Sequence, residues 1–212
     1  MKKTLSTICL LAAGVALADW TPVMLSLVTP VQAPSCDYDV KGFRLSLLYG
    51  DCMDFAGLDI SVIGHADRDF TGIGIGAVNI ADDKFLGAQV GAINWNINEN
   101  VHWGRRSTGA QIGPVNYCEA FCGLQDGVVN VAGGSFCGLQ SAPFNMTTDL
   151  QGMQVGWWFL LGVNVVSGEM SGCQIGLVNY AERVKGGLQI GFVNVIGENG
   201  WLPVLPLVNG HF

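Results

Sequence analysis

Gly187-Leu188-Gln189-Ile190-Gly191-Phe192-Val193-Asn194 alternates large apolar residues (Leu188, Ile190, Phe192) with small or polar ones (Gly187, Gln189, Gly191). A period of two describes a strand, whose successive side chains point to opposite faces. The same eight-residue block recurs. Clear copies start at Gly72 (GIGIGAVN), Gly87 (GAQVGAIN), Gly109 (GAQIGPVN), Gly123 (GLQDGVVN) and Gly172 (GCQIGLVN). Looser ones start at Gly42, Gly57, Gly138 and Gly152. The leading glycines are separated by 15, 15, 15, 22, 14, 15, 14, 20 and 15 residues.

A unit this short cannot bury its own apolar side, so neighbouring units must pack into one continuous structure. Short connectors such as Asp82-Asp83-Lys84 and Ala132-Gly133-Gly134-Ser135 have turn composition. Each unit is therefore strand plus turn. The third position holds Gln89, Gln111, Gln125, Gln140, Gln154, Gln174 and Gln189, and the fifth is small, which implies a close approach on that side.

Two all-β architectures satisfy this pattern. The first expectation is an antiparallel meander closed into a membrane β-barrel of roughly twelve strands: ten led by glycine, one at PVMLSLV from Pro22 and one at WLPVLPLVNGHF. Tilted strands of about 9 to 11 residues span a bilayer, apolar side to lipid and small or polar side to the lumen. The alternative is a parallel β-solenoid with 15-residue coils, which would stack Asn79, Asn94, Asn116, Asn130, Asn145, Asn179 and Asn194 into an internal amide ladder. In that solenoid the even positions, Leu188 among them, are expected to face the core. The cysteines discriminate: an antiparallel hairpin brings Cys118 and Cys122 together across Glu119-Ala120-Phe121 and is the expected arrangement, whereas parallel coils stack Cys122 beside Cys137.

The units GLQIGFVN, GCQIGLVN and GAQIGPVN, with the opening TPVMLSLVTPVQAPSCDYDVKGFRLSLLYG and the ending LPVLPLVNGHF, resemble a family of bacterial surface-repeat proteins built on Gly-Leu-Gln-Ile-Gly-Leu-Val-Asn. The likeness covers essentially all of the chain after residue 18. It implies export to the surface of a Gram-negative bacterium, with no established activity. The pattern breaks at Asp126, Ser141, Pro143 and across 157–161, where distortion is expected. The terminal Phe212 also resembles the aromatic assembly signal of outer-membrane barrels.

Residues 1–18 read as a secretory signal peptide: Lys2 and Lys3, an apolar stretch, and Ala16 and Ala18 framing a cleavage site before Asp19. Residues 19–212 form a single repeat-built β domain. Half of all residues are hydrophobic, yet no apolar run after the signal is long enough for a transmembrane helix. A formal charge of −7 argues against a nucleic-acid partner, and membrane lipid is the expected one.

No catalytic, cofactor-binding or metal site is expected, and no enzyme. Cys36, Cys52, Cys118, Cys122, Cys137 and Cys173 are an even set in an exported chain, which favours disulfides; Cys118 and Cys122 lack a zinc partner pair. His65, His102 and His211 fall on different units without a carboxylate or cysteine at ligand or triad spacing. Gly-x-Gln-x-Gly lies inside strands, so it is no phosphate loop. The longest connector, between Asn96 and Ser107, carries Trp103, Arg105 and Arg106 next to Trp95; it suits a binding loop or an interfacial aromatic belt equally.

Overall fold

A computed structural model describes residues 19–97, 106–157 and 161–212. The expected signal peptide, residues 1–18, lies outside the described residues, as do His102, Trp103 and Arg105. The strands are β1 (Trp20–Val28), β2 (Val31–Ala33), β3 (Asp39–Cys52), β4 (Phe55–Ala66), β5 (Phe70–Ala81), β6 (Phe85–Val90) and β7 (Ile93–Asn96). They continue with β8 (Ser107–Ile112), β9 (Val115–Cys118), β10 (Phe121–Asp126), β11 (Val129–Ser141), β12 (Phe144–Val155), β13 (Val163–Glu198) and β14 (Val204–His211).

Neighbouring repeats pair in parallel, with like residues opposite one another. Gly42 pairs with Gly57, Gly57 with Gly72 and Gly72 with Gly87, and the same register runs from Gly109 through Gly123, Gly138 and Gly152 to Gly172. Among the described residues only β1 with β2 and β13 with β14 pair antiparallel, as caps at the two ends of an open strand order. The chain is thus a parallel β-solenoid, and the closed antiparallel barrel is overturned. Each coil runs through a strand of the Phe-x-Gly-x-Gln type, a corner at the fifth-position Gly, a Val-Asn strand, and a turn back: β5 pairs with β6 before the corner and with β7 after it.

Stacking in parallel lets a buried amide serve coil after coil, which an antiparallel barrel cannot do. Asn79 Nδ2 donates to Asn94 Oδ1 at 2.8 Å, and the relay passes through Asn116, Asn130, Asn145, Asn164 and Asn179 to Asn194. A second ladder runs in the other sense: Gln189 Nε2 donates to Gln174 Oε1 at 2.7 Å, and so back through Gln154, Gln140, Gln125 and Gln111 to Gln89. All these side chains apart from Asn79, itself 2 % exposed, are fully buried. Buried amides are costly unless paired, and here nearly every one is.

Nearer the turn, aromatic rings stack along the same interior. Phe55 and Phe70 lie 4.9 Å apart, and Phe85 reaches Phe121 at 6.2 Å past Ser107, whose Oγ accepts the Phe85 N–H. At the N-terminal end the Gln column is replaced by Arg44, Asp59 and Gly74. Arg44 grips Asp59 with Nε to Oδ1 at 2.9 Å and Nη2 to Oδ2 at 2.7 Å, both residues at most 1 % exposed.

The small positions are fixed by the stacking. Gly187 has φ +154°, and a Cβ there would stand 2.0 Å from the Gly172 carbonyl oxygen. At the corner, a Cβ on Gly191 would meet Gly176 O at 2.0 Å and Asn179 Nδ2 at 2.5 Å. The irregular central units are not distorted in register: Asp126 pairs with Ser141, Ser141 with Val155, and Asn145 with Asn164. Gly156 and Gly162 pack Cα to backbone at the base of the 157–161 insertion, so the coil resumes in phase at Val163.

Candidate interaction surface

Because Gln, Asn and Phe fill the interior, strand parity sends the aliphatic side chains outward. Ile75, Leu86, Val90, Ile112, Leu139 and Ile190 all face solvent, so the expectation that even positions of a solenoid fill its core is inverted. The reason is the ladder, which needs the inward parity for amides. The sixth position of each unit forms a ridge along the glycine corner: Leu47, Val62, Ala77, Ala92, Pro114, Val128, Pro143, Trp157, Leu177 and Phe192, exposed throughout except at half-buried Pro143. Phe192 is 68 % exposed and Leu47 60 %. Exposed apolar patches are where proteins and membranes commonly make contact, which makes this ridge the candidate surface.

Charge gathers on the opposite edge, where the turns stack. Arg68 pairs with Asp54 at 2.7 Å and Arg183 with Glu198 at 2.7 Å, while Lys185 bonds Glu169 and holds its carboxyl below the usual range. Arg106 belongs to this edge, donating to Ser135 Oγ at 3.1 Å beside an open groove of about 230 Å³ that also carries Asp149, Glu169 and Lys185. Trp95 stacks on Tyr117 with ring centroids 4.2 Å apart on the outer face of the Val-Asn sheet. The molecule is amphipathic across its width: apolar ridge on one side, ionic edge on the other, with Asp126 a departure on the apolar side.

The cysteines are free thiols in the structure. Cys122 and Cys137 stand opposite one another on β10 and β11, where the Cys122 thiol pushes the Cys137 thiol up, so the stacked pair replaces the expected Cys118–Cys122 hairpin pair. Cys118 turns into the core, its thiol 3.5 Å from the Ala120 carbonyl oxygen. His211 lies on capping strand β14 opposite Gly187.

His65 is the site residue that sequence reasoning left without partners. The coil register puts Asp51 directly opposite it, and Asp67 and Asp82 follow at the turn. Its Nδ1 lies 3.0 Å from Asp51 Oδ1, 3.5 Å from Asp67 Oδ1 and 3.0 Å from the Tyr49 hydroxyl; its Nε2 lies 3.0 Å from Asp82 Oδ2. Burial, with Asp67 adding repulsion, pushes the Asp51 carboxyl up, and burial pushes the Tyr49 phenol up to about 12. The missed Asn164, hidden by the 157–161 insertion, and this cluster both become visible only once coils are laid in register.

No protein-family model, curated protein or solved structure matches the chain.

Proposed function

We propose that the protein is an exported, non-catalytic β-solenoid of the bacterial surface whose aliphatic exterior is a binding surface, with membrane lipid as its partner. One observation carries the reading: aliphatic side chains cover both strand faces and the glycine corner, while ionic groups are gathered on the turn edge. Burying apolar area is favourable at roughly 25 cal/mol per Å², and an ionic edge opposite the ridge gives the molecule a defined orientation at an interface. The surface-repeat resemblance supports the location, and the signal-like residues 1–18 support export.

Flotation of the purified mature chain with phosphatidylethanolamine–phosphatidylglycerol vesicles tests it. The expected result is co-flotation that persists at 1 M NaCl, since salt screens charge but not apolar burial. A chain that stays at the bottom of the gradient overturns lipid as the partner.

A further inference from the structure

The His65 cluster is independent of the apolar surface, and its geometry points to a metal site. We propose that Asp51, His65 and Asp67 bind a divalent first-row transition cation, best fitted by zinc, with Asp82 as the positioning residue. The three ligand atoms, His65 Nδ1 and one oxygen from each carboxylate, lie within 4.8 Å of one another. Zinc takes imidazole nitrogen and carboxylate oxygen at about 2.0 to 2.2 Å, so a small inward movement of the turn residue Asp67 closes the site.

Asp82 holds the far side of the ring. Its carboxylate accepts from Nε2 at 3.0 Å in the tautomer that leaves Nδ1 a lone pair for a cation between Asp51 and Asp67. This is the carboxylate–histidine–metal arrangement, in which the outer carboxylate fixes the ring. In the metal-free site Nδ1 stands 3.0 Å from Asp51 Oδ1, and a cation would take the place of the proton between them. Arg44, which bonds the His65 carbonyl oxygen at 2.5 Å, directs its charge to Asp59 inside the coil.

The Tyr49 hydroxyl, 3.0 Å from Nδ1, or a water completes four-coordination. An imidazole with two carboxylates suits zinc better than calcium or magnesium, which prefer oxygen-only shells. Entry is open, since the Asp67 side chain is 39 % exposed. The ligands come from β3, from β4 and from the turn after β4, so the cation would tie adjacent coils near the N-terminal cap and stabilise them by linkage.

The test is isothermal titration of ZnCl₂ into the full mature chain stripped with EDTA, with thermal unfolding in parallel. The expected result is one equivalent bound, a raised Tm, and a Kd at least about tenfold weaker in Asp51→Asn, in Asp67→Asn and in Asp82→Asn. Asp67→Asn, on an exposed turn, keeps the metal-free Tm and so separates ligation from folding. Absent zinc binding, affinity unchanged from the parent chain in Asp51→Asn and Asp67→Asn, or loss of binding in Cys122→Ser/Cys137→Ser instead, overturns the site.

Discussion

Gln125 shows what a single residue does in this fold. Its Nε2 donates to Gln111 Oε1 and its Oε1 accepts from Gln140 Nε2, each at 2.7 Å, from a fully buried position. Gln125→Leu keeps the volume but leaves the Gln111 Oε1 acceptor below without its donor and leaves Gln140 Nε2 above with only the Met146 carbonyl oxygen at 3.5 Å. The expected loss is about 1 to 3 kcal/mol for the orphaned acceptor, read as a lower urea midpoint. Buried thiols give a second test. Burial pushes Cys52 and Cys118 up to about 12 from an ordinary 9.0. The folded state holds their protons more tightly than the unfolded chain does. That contribution is therefore complete below pH 9 and is lost as pH rises toward 12. Iodoacetamide at pH 8 is expected to modify half-buried Cys36 while Cys52 and Cys118 resist until the chain unfolds, as peptide mapping would show.

Between elements, the buried Arg44–Asp59 pair joins β3 to β4 through two hydrogen bonds. Removing one partner strands a buried charge, so Asp59→Ala is expected to cost about 3 to 5 kcal/mol. The double change Arg44→Gln/Asp59→Gln installs the amides that later coils carry at the same position, and is expected to recover most of that loss. Urea midpoints of the three chains check both statements. The column itself was legible from sequence, since alternation and period identify strand and repeat. Strand direction was not, because a lipid-facing barrel and a solenoid both need one aliphatic and one small or polar parity. The Asn column pointed to the solenoid: Asn on an aliphatic-parity position is tolerable against lipid only at the headgroup level, whereas the corner turns that side chain inward. His65 remained opaque for the same reason, because Asp51, Asp67 and Asp82 approach it only when neighbouring coils run parallel and in register.

The whole molecule is a rod whose long sides differ, and its two sides should respond differently to substitution. Leu177→Asp and Phe192→Asp lie on the ridge, where the side chains make little of the core. Each is expected to change folding stability by no more than about 1 kcal/mol while reducing vesicle flotation several-fold; unchanged flotation would place the contact elsewhere. The opposed directions of the two amide ladders have an electrical consequence. In an α-helix aligned peptide dipoles add up to fractional charges at the ends. Here seven Asn–Asn bonds point toward the C-terminal cap and six Gln–Gln bonds point away from it, so the two columns largely cancel along the axis. Their unpartnered termini are both oxygens, Asn79 Oδ1 at one end and Gln189 Oε1 at the other. Both lie inside the rod, Asn79 behind the coils of β3 and β4 and Gln189 beneath β14, so neither is offered to a second copy, and the amide columns of a single rod give a membrane potential little to orient.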